Sequence, residues 1–490
     1  MRVVGRLALG LVALLAVLVA VVLFRTFTYE GPLSAGEPVK LAAAQAVDAD
    51  RAARNLSAAI QIRTVRHQDR TQDELGEWAR FHRFLETTYP KAHAVMRREV
   101  IAHETLVYTW QGSDAALAPI ILMAHQDVVP VTPGTEKDWK HPPFDGVIAD
   151  GAVWGRGAID DKGSLIPLFE AVETLATRGF QPRRTIILVL GGDEEVQGGG
   201  AQAATALLKA RGVKAEFVLD EGMAIVSDNP VTGGKLALIG TAEKGYGTLK
   251  VTATAAGGHS STPPEDGGGV VALAKAVTAI AGDPFPMSFQ GPGADLLRHA
   301  APGGSFLVRM AVANEWLFRP LLIKQVGASP AGAAMLHTTI APTMLKGSPK
   351  ENVLPQDATA WINYRIAPGD TAADVIGRAR NAASGLPVSI DWNTPPSEPT
   401  RVSSTSSWGW RTLSGVAAAE SGAPVAPALV VAGTDSRWLE PVAKDVYRFQ
   451  PLELSTSALG MIHGTNEHVS VENLGRAVRF FTRLMATSAG

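Results

Sequence analysis

The chain has 490 residues, of which 46% are hydrophobic and 19% are charged, so it is long enough for two or three domains with large cores. The formal net charge of −2 gives no reason to expect a nucleic-acid partner. The sequence contains no cysteine, which excludes disulfides, thiolate nucleophiles and cysteine-ligated zinc sites.

Near the N-terminus, residues 7–24 form an unbroken run of 18 apolar residues. As a helix this run would be about 27 Å long, close to the hydrocarbon thickness of a bilayer. Arg2 and Arg6 precede it, which favours a cytoplasmic N-terminus and export of everything that follows. We therefore predict a membrane anchor over residues 1–25, with the rest of the chain periplasmic, extracellular or lumenal. The alternative is a cleaved signal peptide, for which Ser34-Ala35-Gly36 provides small residues.

Short, wholly apolar segments at 118–123 and 185–190 predict strands that are covered on both faces. Helical periodicity follows them, over 164–176 and 201–210, and a further strand is predicted at 216–219. This alternation predicts an α/β fold with a doubly wound, mostly parallel sheet. In such sheets ligands bind in the crevice beyond the carboxyl ends of the strands.

The sequence pattern changes after residue 244, and we predict an inserted α+β domain over 245–395. Its strands alternate apolar and polar residues, as antiparallel strands with one solvated face do. The strands and helices predicted in this insert lie at 246–255, 269–280, 359–366 and 372–383. The parent domain would then comprise residues 45–244 and 396–490.

Five motifs with acidic residues or histidine occur where hydrophobic strands end. They are His125-Gln126-Asp127, Asp160-Asp161, Asp193-Glu194-Glu195, Asp220-Glu221 and the motif that contains His463. Together they offer two imidazoles, several carboxylates and no thiol, which suits two divalent metal ions with one carboxylate left as a base. Each motif alone is equally compatible with an ordinary polar loop. Their shared position at strand ends favours a hydrolytic metalloenzyme.

Two further motifs lie near the start of the insert, Gly-Thr-Ala-Glu-Lys-Gly at 240–245 and Gly-Gly-His-Ser-Ser-Thr-Pro-Pro at 257–264. With them, the chain from about residue 45 onward resembles the dinuclear zinc metallopeptidases. This family includes glutamate carboxypeptidase, aminoacylase, carnosinase and carboxypeptidase S, and the carboxypeptidase S branch is the most similar. The resemblance implies two Zn²⁺ per subunit, although nitrogen and oxygen ligands also suit Co²⁺ or Mn²⁺.

The resemblance implies a role for each residue at the strand ends. The residues that would hold one metal ion are His125, Asp160 and Asp220, and those that would hold the other are Glu195, Asp160 and His463. Asp160 would therefore bridge both ions, and Asp127 would orient His125. Glu194 would be the general base that takes a proton from the attacking water and returns it to the departing amine. The family also has a cis peptide bond after the bridging aspartate, here between Asp160 and Asp161.

The resemblance also implies that the insert is a ferredoxin-like lid and dimerisation domain. His259 would stabilise the oxyanion from the partner subunit, which predicts a homodimer whose assembly is part of catalysis. Arg365 matches an arginine that grips a substrate carboxylate, and Asn352 matches a substrate-contacting asparagine. Gly433 and Thr434 follow a predicted strand and would close the carboxylate pocket. A plain surface or strand position is the alternative for each of these residues.

These assignments predict a membrane-anchored metallo-carboxypeptidase that cleaves the amide next to a free C-terminal carboxylate in short peptides. One alternative is an aminoacylase-like amidohydrolase that acts on N-acyl amino acids, including N-fatty-acyl ones. An alternative of another class is a catalytically inactive, membrane-tethered binding protein. The presence of Glu194 and all five presumed metal ligands disfavours that last alternative.

Overall fold

The computed structural model describes residues 2–32, 37–196 and 198–490. The segment Ser34-Ala35-Gly36, considered above as a signal cleavage site, lies outside these residues. The α-helices are α1 (Arg2–Phe27), α2 (Ala49–Ile60), α3 (Leu75–Thr88), α4 (Pro90–Val95), α5 (Lys162–Thr177), α6 (Gly199–Ala210), α7 (Gly268–Ala281), α8 (Gly291–Ala300), α9 (Phe306–Ala313), α10 (Glu315–Val326), α11 (Pro330–Leu336), α12 (Ala372–Ala382), α13 (Trp408–Ser421) and α14 (Val471–Ala489). The strands are β1 (Arg97–Val100), β2 (Leu106–Trp110), β3 (Ile120–His125), β4 (Val147–Ala149), β5 (Ala152–Trp154), β6 (Ile186–Gly191), β7 (Ala215–Asp220), β8 (Ile225–Val226), β9 (Leu236–Glu243), β10 (Gly245–Thr254), β11 (Gly258–His259), β12 (Thr339–Lys346), β13 (Val353–Leu354), β14 (Asp357–Ile366), β15 (Val388–Trp392), β16 (Val425–Val430), β17 (Ala443–Arg448), β18 (Glu453–Leu454) and β19 (His468–Ser470).

The central sheet has the strand order β1, β2, β6, β3, β7, β17, β9, β8, β18, and β16 also pairs with β9. Its middle strands, β6, β3, β7 and β17, run parallel. Antiparallel pairs flank them, β1 with β2 and β2 with β6 on one side, and β17 with β9 and β9 with β8 on the other. The outer pairs β9 with β16 and β8 with β18 are again parallel. The predicted α/β fold is therefore confirmed: in the described part of the chain, five of the nine strand pairs of the central sheet are parallel, and the other four make it a mixed sheet.

Helices cover both faces of the central sheet, so alternate residues of its strands face two different cores. Ile120 and Leu122 of β3 pack in the core formed with α2, α5, α13 and α14. Ile121 and Met123 of the same strand pack in the core formed with α6 and the 3₁₀ helix Asp435–Val442. This double cover explains why β3 and β6 are apolar and buried along their whole length.

A second, wholly antiparallel sheet has the strand order β12, β14, β10, β15. The helices α7 and α12 pack on it through a separate core that includes Leu273, Ile362 and Val375. A capping box of Thr371 and Asp374 starts α12. We call this sheet with α7 and α12 the lid. It lies in the region where the sequence predicts an α+β insert.

The helices α8 to α11 also lie between residues 245 and 395, but they pack outside the lid. Leu296, Leu297 and Leu336 share a core with Leu238 of β9 and Ala428 of β16. The segment between α7 and β12 therefore covers the end of the central sheet. The domain boundaries predicted from sequence do not distinguish this excursion from the lid.

The first helix, α1, is exposed over most of its length. In the described part of the chain, Val4–Phe27 is the one helix whose length and composition allow it to cross a membrane, a test that signal sequences also pass. Near its end it contacts the segment between α9 and α10. Asn314 Nδ2 donates to the Val22 carbonyl at 3.1 Å and to Thr26 Oγ1 at 3.2 Å, and Arg25 Nε donates to the Ala313 carbonyl at 3.0 Å.

Candidate metal centre

Three neighbouring parallel strands deliver their last residues to one edge of the central sheet. β3 ends at His125, β7 ends at Asp220, and the turn after β6 carries Glu194 and Glu195. Because β3 pairs with both β6 and β7, these side chains meet although they are far apart in sequence. The loop before α5 and the segment before β19 bring Asp160 and His463 to the same edge.

Asp160 lies between the two histidines. Its Oδ1 is 2.8 Å from His125 Nε2, and its Oδ2 is 3.1 Å from His463 Nε2. His463 Nε2 is also 3.1 Å from the carboxylate of Glu195. In two sets, Asp160 with Glu195 and His463, and His125 with Glu194 and Glu195, the potential ligand atoms lie within 4.8 Å of one another. The structure thus gathers both imidazoles and three carboxylates into one cluster.

Asp127 organises two parts of this cluster. Its carboxylate oxygens accept hydrogen bonds from the main-chain N–H groups of Glu194 at 3.2 Å and Glu195 at 3.1 Å. His125 Nδ1 donates to the main-chain carbonyl of Asp127 at 3.0 Å, and the Asp127 carboxylate is 3.5 Å away. These contacts place the proton on Nδ1 and turn Nε2 toward the cluster. The orienting role of Asp127 stays a prediction, and the shorter of its two contacts with His125 comes from the main-chain oxygen.

The loop that carries Asp160 is fixed by Glu467, which is fully buried. Its Oε1 accepts the main-chain N–H of Ile159 at 2.7 Å and of Asp160 at 3.0 Å, and its Oε2 accepts that of Gly157 at 3.0 Å. Arg156 Nη1 donates to Oε2 at 2.7 Å. The peptide bond between Asp160 and Asp161 is cis, as the resemblance implies. Sequence reasoning did not assign a role to Glu467, although it lies four residues after His463, a predicted ligand.

Arg156 links this loop to the segment that carries His463. Its Nη2 donates to the carbonyl oxygens of His463 at 3.1 Å and Gly464 at 2.9 Å. Arg156 and Glu467 are both buried, so their ion pair is shielded from solvent. The pair positions Asp160 and His463 relative to each other through their main-chain atoms and, among the hydrogen bonds of the described residues, makes none to their side chains.

The cluster carries an excess of buried negative charge. Burial raises the pKa of Glu194 well above its ordinary range, and repulsion from Asp435 and Glu195 adds to this. Burial likewise raises the pKa of Glu221, with repulsion from Asp160 and Asp220. Burial raises the pKa of Asp161 to about 8. Such mutual repulsion between buried carboxylates is relieved when cations bind among them.

Asp220 occupies the end of β7 beside the cluster. Its Oδ2 accepts the main-chain N–H of Ser436 at 2.8 Å. Among the described residues, the group around His125 contains Glu194 and Glu195 rather than Asp220. Glu221, the next residue, has its carboxylate close enough to Asp160 and His125 to interact with both. A ligand role for Asp220 stays a prediction, and Glu221 is a nearby carboxylate that the sequence reasoning did not single out.

A buried polar network extends from Asp220 toward the lid. Thr434 Oγ1 donates to Glu243 Oε1 at 2.7 Å and also lies 2.7 Å from Ser436 Oγ. Arg448 Nε donates to the same Glu243 oxygen at 2.8 Å. Gly433 is exposed and lies where a Cβ atom would be 3.0 Å from Arg437 Nη1. Thr434 is therefore bonded within the network that leads from Asp220, and Gly433 leaves room for Arg437.

Three cations gather beyond this network. Arg437 is 3.7 Å from Glu243, and Arg365 stacks on the Tyr246 ring at 4.8 Å. Burial lowers the pKa of Arg365, and repulsion from Arg437 adds to this. Burial lowers the pKa of Lys244 to about 8, and repulsion from Arg365 adds to this. Lys244 Nζ donates to the His337 carbonyl at 2.6 Å. We call Lys244, Arg365 and Arg437 the basic group.

His259 and Asn352 lie together at another place on the lid. β11 and β13 pair so that His259 faces Val353, and Ser260 N–H donates to the Asn352 carbonyl at 3.2 Å. His259 is exposed and its Nδ1 contacts Ser261 Oγ at 2.7 Å. Asn352 Oδ1 is buried without a hydrogen-bond partner. Across the described residues of this single chain, no hydrogen bond or ion pair joins His259 or Asn352 to the Asp160 cluster.

Comparison with known proteins identifies the family. The sequence profile of Peptidase family M20/M25/M40 matches residues 121–487. The chain belongs to this family. N-fatty-acyl-amino acid synthase/hydrolase PM20D1 of Xenopus tropicalis is 35% identical over 486 residues, which cover 97% of this chain and 93% of that protein. Probable carboxypeptidase S-like 2 of Dictyostelium discoideum is 35% identical over 443 residues, which cover 88% of this chain and 84% of that protein.

The M20 fold is also found among solved structures. An M20 family metallo-carboxypeptidase, Sso-CP2 of Sulfolobus solfataricus, superimposes with a TM-score of 0.63 at 16% identity, over 89% of this chain and 99% of that chain. The resemblance to the carboxypeptidase S branch is confirmed, and proteins named PM20D1 are similar to this chain to the same degree. The chain is thus a hydrolase of the M20 family.

The residues at the site fit the metal ions that M20 enzymes use. The cluster offers imidazole nitrogen and carboxylate oxygen, the donor types that zinc and other borderline divalent ions accept. Glu195 belongs to both potential ligand groups, and Asp160 contacts both histidines. The buried carboxylates exceed the charge that two imidazoles balance, so bound cations would complete the site electrostatically.

Proposed function

We propose that this M20 hydrolase is a membrane-anchored metallo-carboxypeptidase that cleaves the amide next to a free carboxylate in short peptides. The observation that carries the proposal is the placement of Asp160 between His125 and His463, with Glu195 against His463. Asp160, Glu195 and His463 would hold one divalent ion, and His125, Asp160 and Asp220 the other. Ions bound there supply activation of water and polarisation of the scissile carbonyl.

Glu194 is the side chain proposed to move the proton. It lies within the group around His125, and its main-chain N–H is fixed by Asp127. Burial raises its pKa, which suits a carboxylate that accepts a proton from water and returns it to the departing amine nitrogen. Asp127 would keep Glu194 and the imidazole of His125 in fixed relative positions throughout the reaction.

The basic group would recognise the carboxylate of the departing amino acid. Three cations whose charges repel one another are partly withdrawn from solvent, so a bound anion would relieve their repulsion. The guanidinium of Arg365 can form paired hydrogen bonds to a carboxylate. Arg437 adjoins Glu243, and Glu243 is connected through Thr434 and Ser436 to Asp220. A substrate that joins the basic group to the cluster would present its amide bond between them.

N-Acyl amino acids, including N-fatty-acyl ones, are the second candidate substrates. They share the free carboxylate and the adjacent amide with a dipeptide, so the same residues would serve both. The relative from Xenopus tropicalis is named as a synthase/hydrolase of N-fatty-acyl-amino acids, and its similarity covers 97% of this chain. The apolar helix α1 would place the enzyme where such amphiphilic substrates collect.

We further propose a homodimer in which His259 of the partner subunit completes the site. His259 is exposed on the lid and lacks contact with the cluster of its own chain. The lid surface near it exposes Val270, Met344, Leu345 and Val353, an apolar set that an interface would cover. The imidazole would donate a hydrogen bond to the oxyanion that forms during attack on the carbonyl.

The decisive assay compares a dipeptide, the same dipeptide with its C-terminus amidated, and an N-acyl amino acid. Each is tested with the zinc-loaded enzyme, the chelated enzyme and Glu194→Gln. We expect hydrolysis of the free acids by the zinc-loaded enzyme alone and no turnover of the amidated dipeptide. Equal turnover of the free and amidated dipeptides would refute recognition of the carboxylate. Absence of hydrolysis by the loaded enzyme, with unchanged ligand binding by Glu194→Gln, would instead favour a binding protein.

A further inference from the structure

The helices α9 and α10 expose large apolar side chains next to α1. Leu307 of α9 is 68% exposed, and on α10 Trp316, Leu317 and Leu321 are 56%, 40% and 47% exposed. Pro320 is also exposed, so positions 316, 317, 320 and 321 recur at helical spacing and form one apolar stripe. We call Leu307, Trp316, Leu317 and Leu321 the α9–α10 patch. Contiguous exposed apolar surface of this kind marks an interaction site.

At the start of α10, Glu315 pairs with Arg319 of the same helix and with Arg298 of α8, beside the stripe. Glu315 accepts hydrogen bonds from Arg298 at 2.9 Å and from Arg319 at 2.7 Å. The stripe ends at Lys324, which is exposed and has a long apolar stem below its charge. The exposed surface of α10 therefore combines apolar side chains, one of them a tryptophan, with the cations Arg319 and Lys324, a composition that is typical of surfaces at the membrane–water interface.

The position of α1 decides which partner this surface meets. Asn314, between α9 and α10, bonds the Val22 carbonyl and Thr26, and the Phe27 and Phe306 rings are 5.8 Å apart. Val22 belongs to the apolar run 7–24. At about 1.5 Å per residue, Val22 lies only about 3 Å below the end of that run. A bilayer that surrounds the run must therefore reach the level of the α9–α10 turn.

We propose that the α9–α10 patch is a second membrane contact, which lies in the bilayer surface beside α1. The inference rests on the proposed membrane anchor and goes beyond it, because it adds a second contact with the bilayer beside the spanning helix. Two contacts fix one orientation of the central sheet relative to the membrane. Helices of this type insert about 5–10 Å into the boundary between headgroups and acyl chains. That depth accommodates Leu307, Trp316 and Leu321.

The absence of native cysteine allows a direct test with the full-length chain. Single cysteines replace Leu307 or Leu321 in the patch, Leu14 in α1, and Leu75 as a control that is 54% exposed at the start of α3. Each variant is labelled with an environment-sensitive fluorophore and reconstituted in phosphatidylcholine vesicles, with or without nitroxide lipid, which carries the nitroxide near the headgroup to reach Leu307 and Leu321 and deep on the acyl chain to reach Leu14. Hydrolysis by each labelled variant reports that it is folded.

We expect the nitroxide lipid to lower the fluorescence of labels at Leu307, Leu321 and Leu14 by about twofold or more, and to leave the label at Leu75 unchanged. Quenching at Leu14 without quenching at Leu307 and Leu321 would overturn the second contact and leave the anchor intact. Absence of quenching at all four positions would overturn the anchor and, with it, the patch. The fluorescence of the labels at Leu307 and Leu321 is also measured in detergent without lipid. If it shows that the labels become buried as the protein concentration rises, a second copy of the chain covers the patch, and the proposal is overturned.

Discussion

Replacement of Glu467 by glutamine tests whether a buried brace, rather than the ligands alone, shapes the metal cluster. Glu467 is fully buried and accepts four hydrogen bonds, three from the main chain of the Asp160 loop and one from Arg156. In Glu467→Gln one carboxylate oxygen is replaced by an amide NH₂ group, which can only donate. That group would face main-chain N–H groups or Arg156, which are also donors, so these hydrogen bonds would be lost. Arg156, 2% exposed, would lose its counter-charge.

The expected size of the effect follows from these contacts. Removal of one partner from a buried ion pair costs about 3–5 kcal/mol of folding free energy. Loss of residues that orient metal ligands lowers metal affinity by about 10–100-fold. We therefore expect Glu467→Gln to lower both the unfolding free energy and the zinc affinity, although Glu467 is not a proposed ligand. The matched control is Glu472→Gln, because the Glu472 side chain is 82% exposed and its loss should cost less than about 0.5 kcal/mol.

Urea unfolding of the zinc-free protein gives the unfolding free energy, and competition with a chromophoric chelator gives the zinc affinity. Measurement of the zinc-free protein separates the intrinsic effect on folding from stabilisation by bound metal. A Glu467→Gln protein that unfolds at the urea midpoint of the wild type and binds zinc equally tightly would refute the bracing role. A loss of stability with unchanged zinc affinity would restrict Glu467 to a folding role.

Four further expectations concern the proposed chemistry. Arg365→Met should raise KM for free-acid dipeptides by about 10–100-fold and leave any slow turnover of amidated dipeptides unchanged. Arg365→Lys should be intermediate, because lysine keeps the charge but cannot form the two parallel hydrogen bonds to a carboxylate. Equal KM changes for both substrates would contradict the contact between Arg365 and the carboxylate. Because the pKa of Lys244 is lowered from its usual value to about 8, its charge is present below that pH and lost above it, so kcat/KM for free acids should fall as pH rises through about 8, and Lys244→Met should lack this fall. Glu194→Gln should retain the wild-type metal content, measured by elemental analysis, and lose about 10²–10⁴-fold in kcat, whereas simultaneous loss of metal would reassign it as a ligand. His259→Ala should lose about 10²–10³-fold in kcat. When His259→Ala and Glu194→Gln subunits are mixed under conditions that exchange them, activity should return, because one of the two sites in each mixed dimer has both Glu194 and His259. Failure of verified mixed dimers to regain activity would contradict a His259 supplied by the partner subunit.

Part of the cluster could be located from sequence, because His125, Glu194 and Glu195 follow the ends of recognisable apolar strands, whereas Asp160 and His463 lie in longer loops. Buried parallel strands are continuous apolar runs, and their carboxyl ends share one edge, so His125 and Glu195 could be placed near each other without coordinates. The cis bond after Asp160 followed from family resemblance rather than from any local pattern. What could be predicted was therefore the edge of the sheet at which chemistry takes place.

The supporting contacts were not predictable in the same way. Arg156 and Glu467 are 311 positions apart, and neither belongs to a periodic pattern that identifies its partner. The antiparallel pairs of the central sheet all involve β1, β2, β8 or β9, strands that the sequence analysis did not predict. The packing of α8 to α11 on β9 and β16 depends on shape and burial at long range. Helical periodicity alone does not tell which sheet a helix covers.

The carbonyl that Lys244 binds has a mechanical consequence for the lid. The chain passes between the lid and the rest of the molecule four times, because the segment α8–α11 leaves the lid and returns to it. Lys244 at the first crossing bonds His337 at the third, and His337 Nδ1 donates to the Phe285 carbonyl at the second at 2.8 Å. These bonds join three of the four crossings, so any rotation of the lid relative to the central sheet would take place about the line through them. A substrate carboxylate that binds Lys244 would therefore contact the lid at the line about which it would rotate.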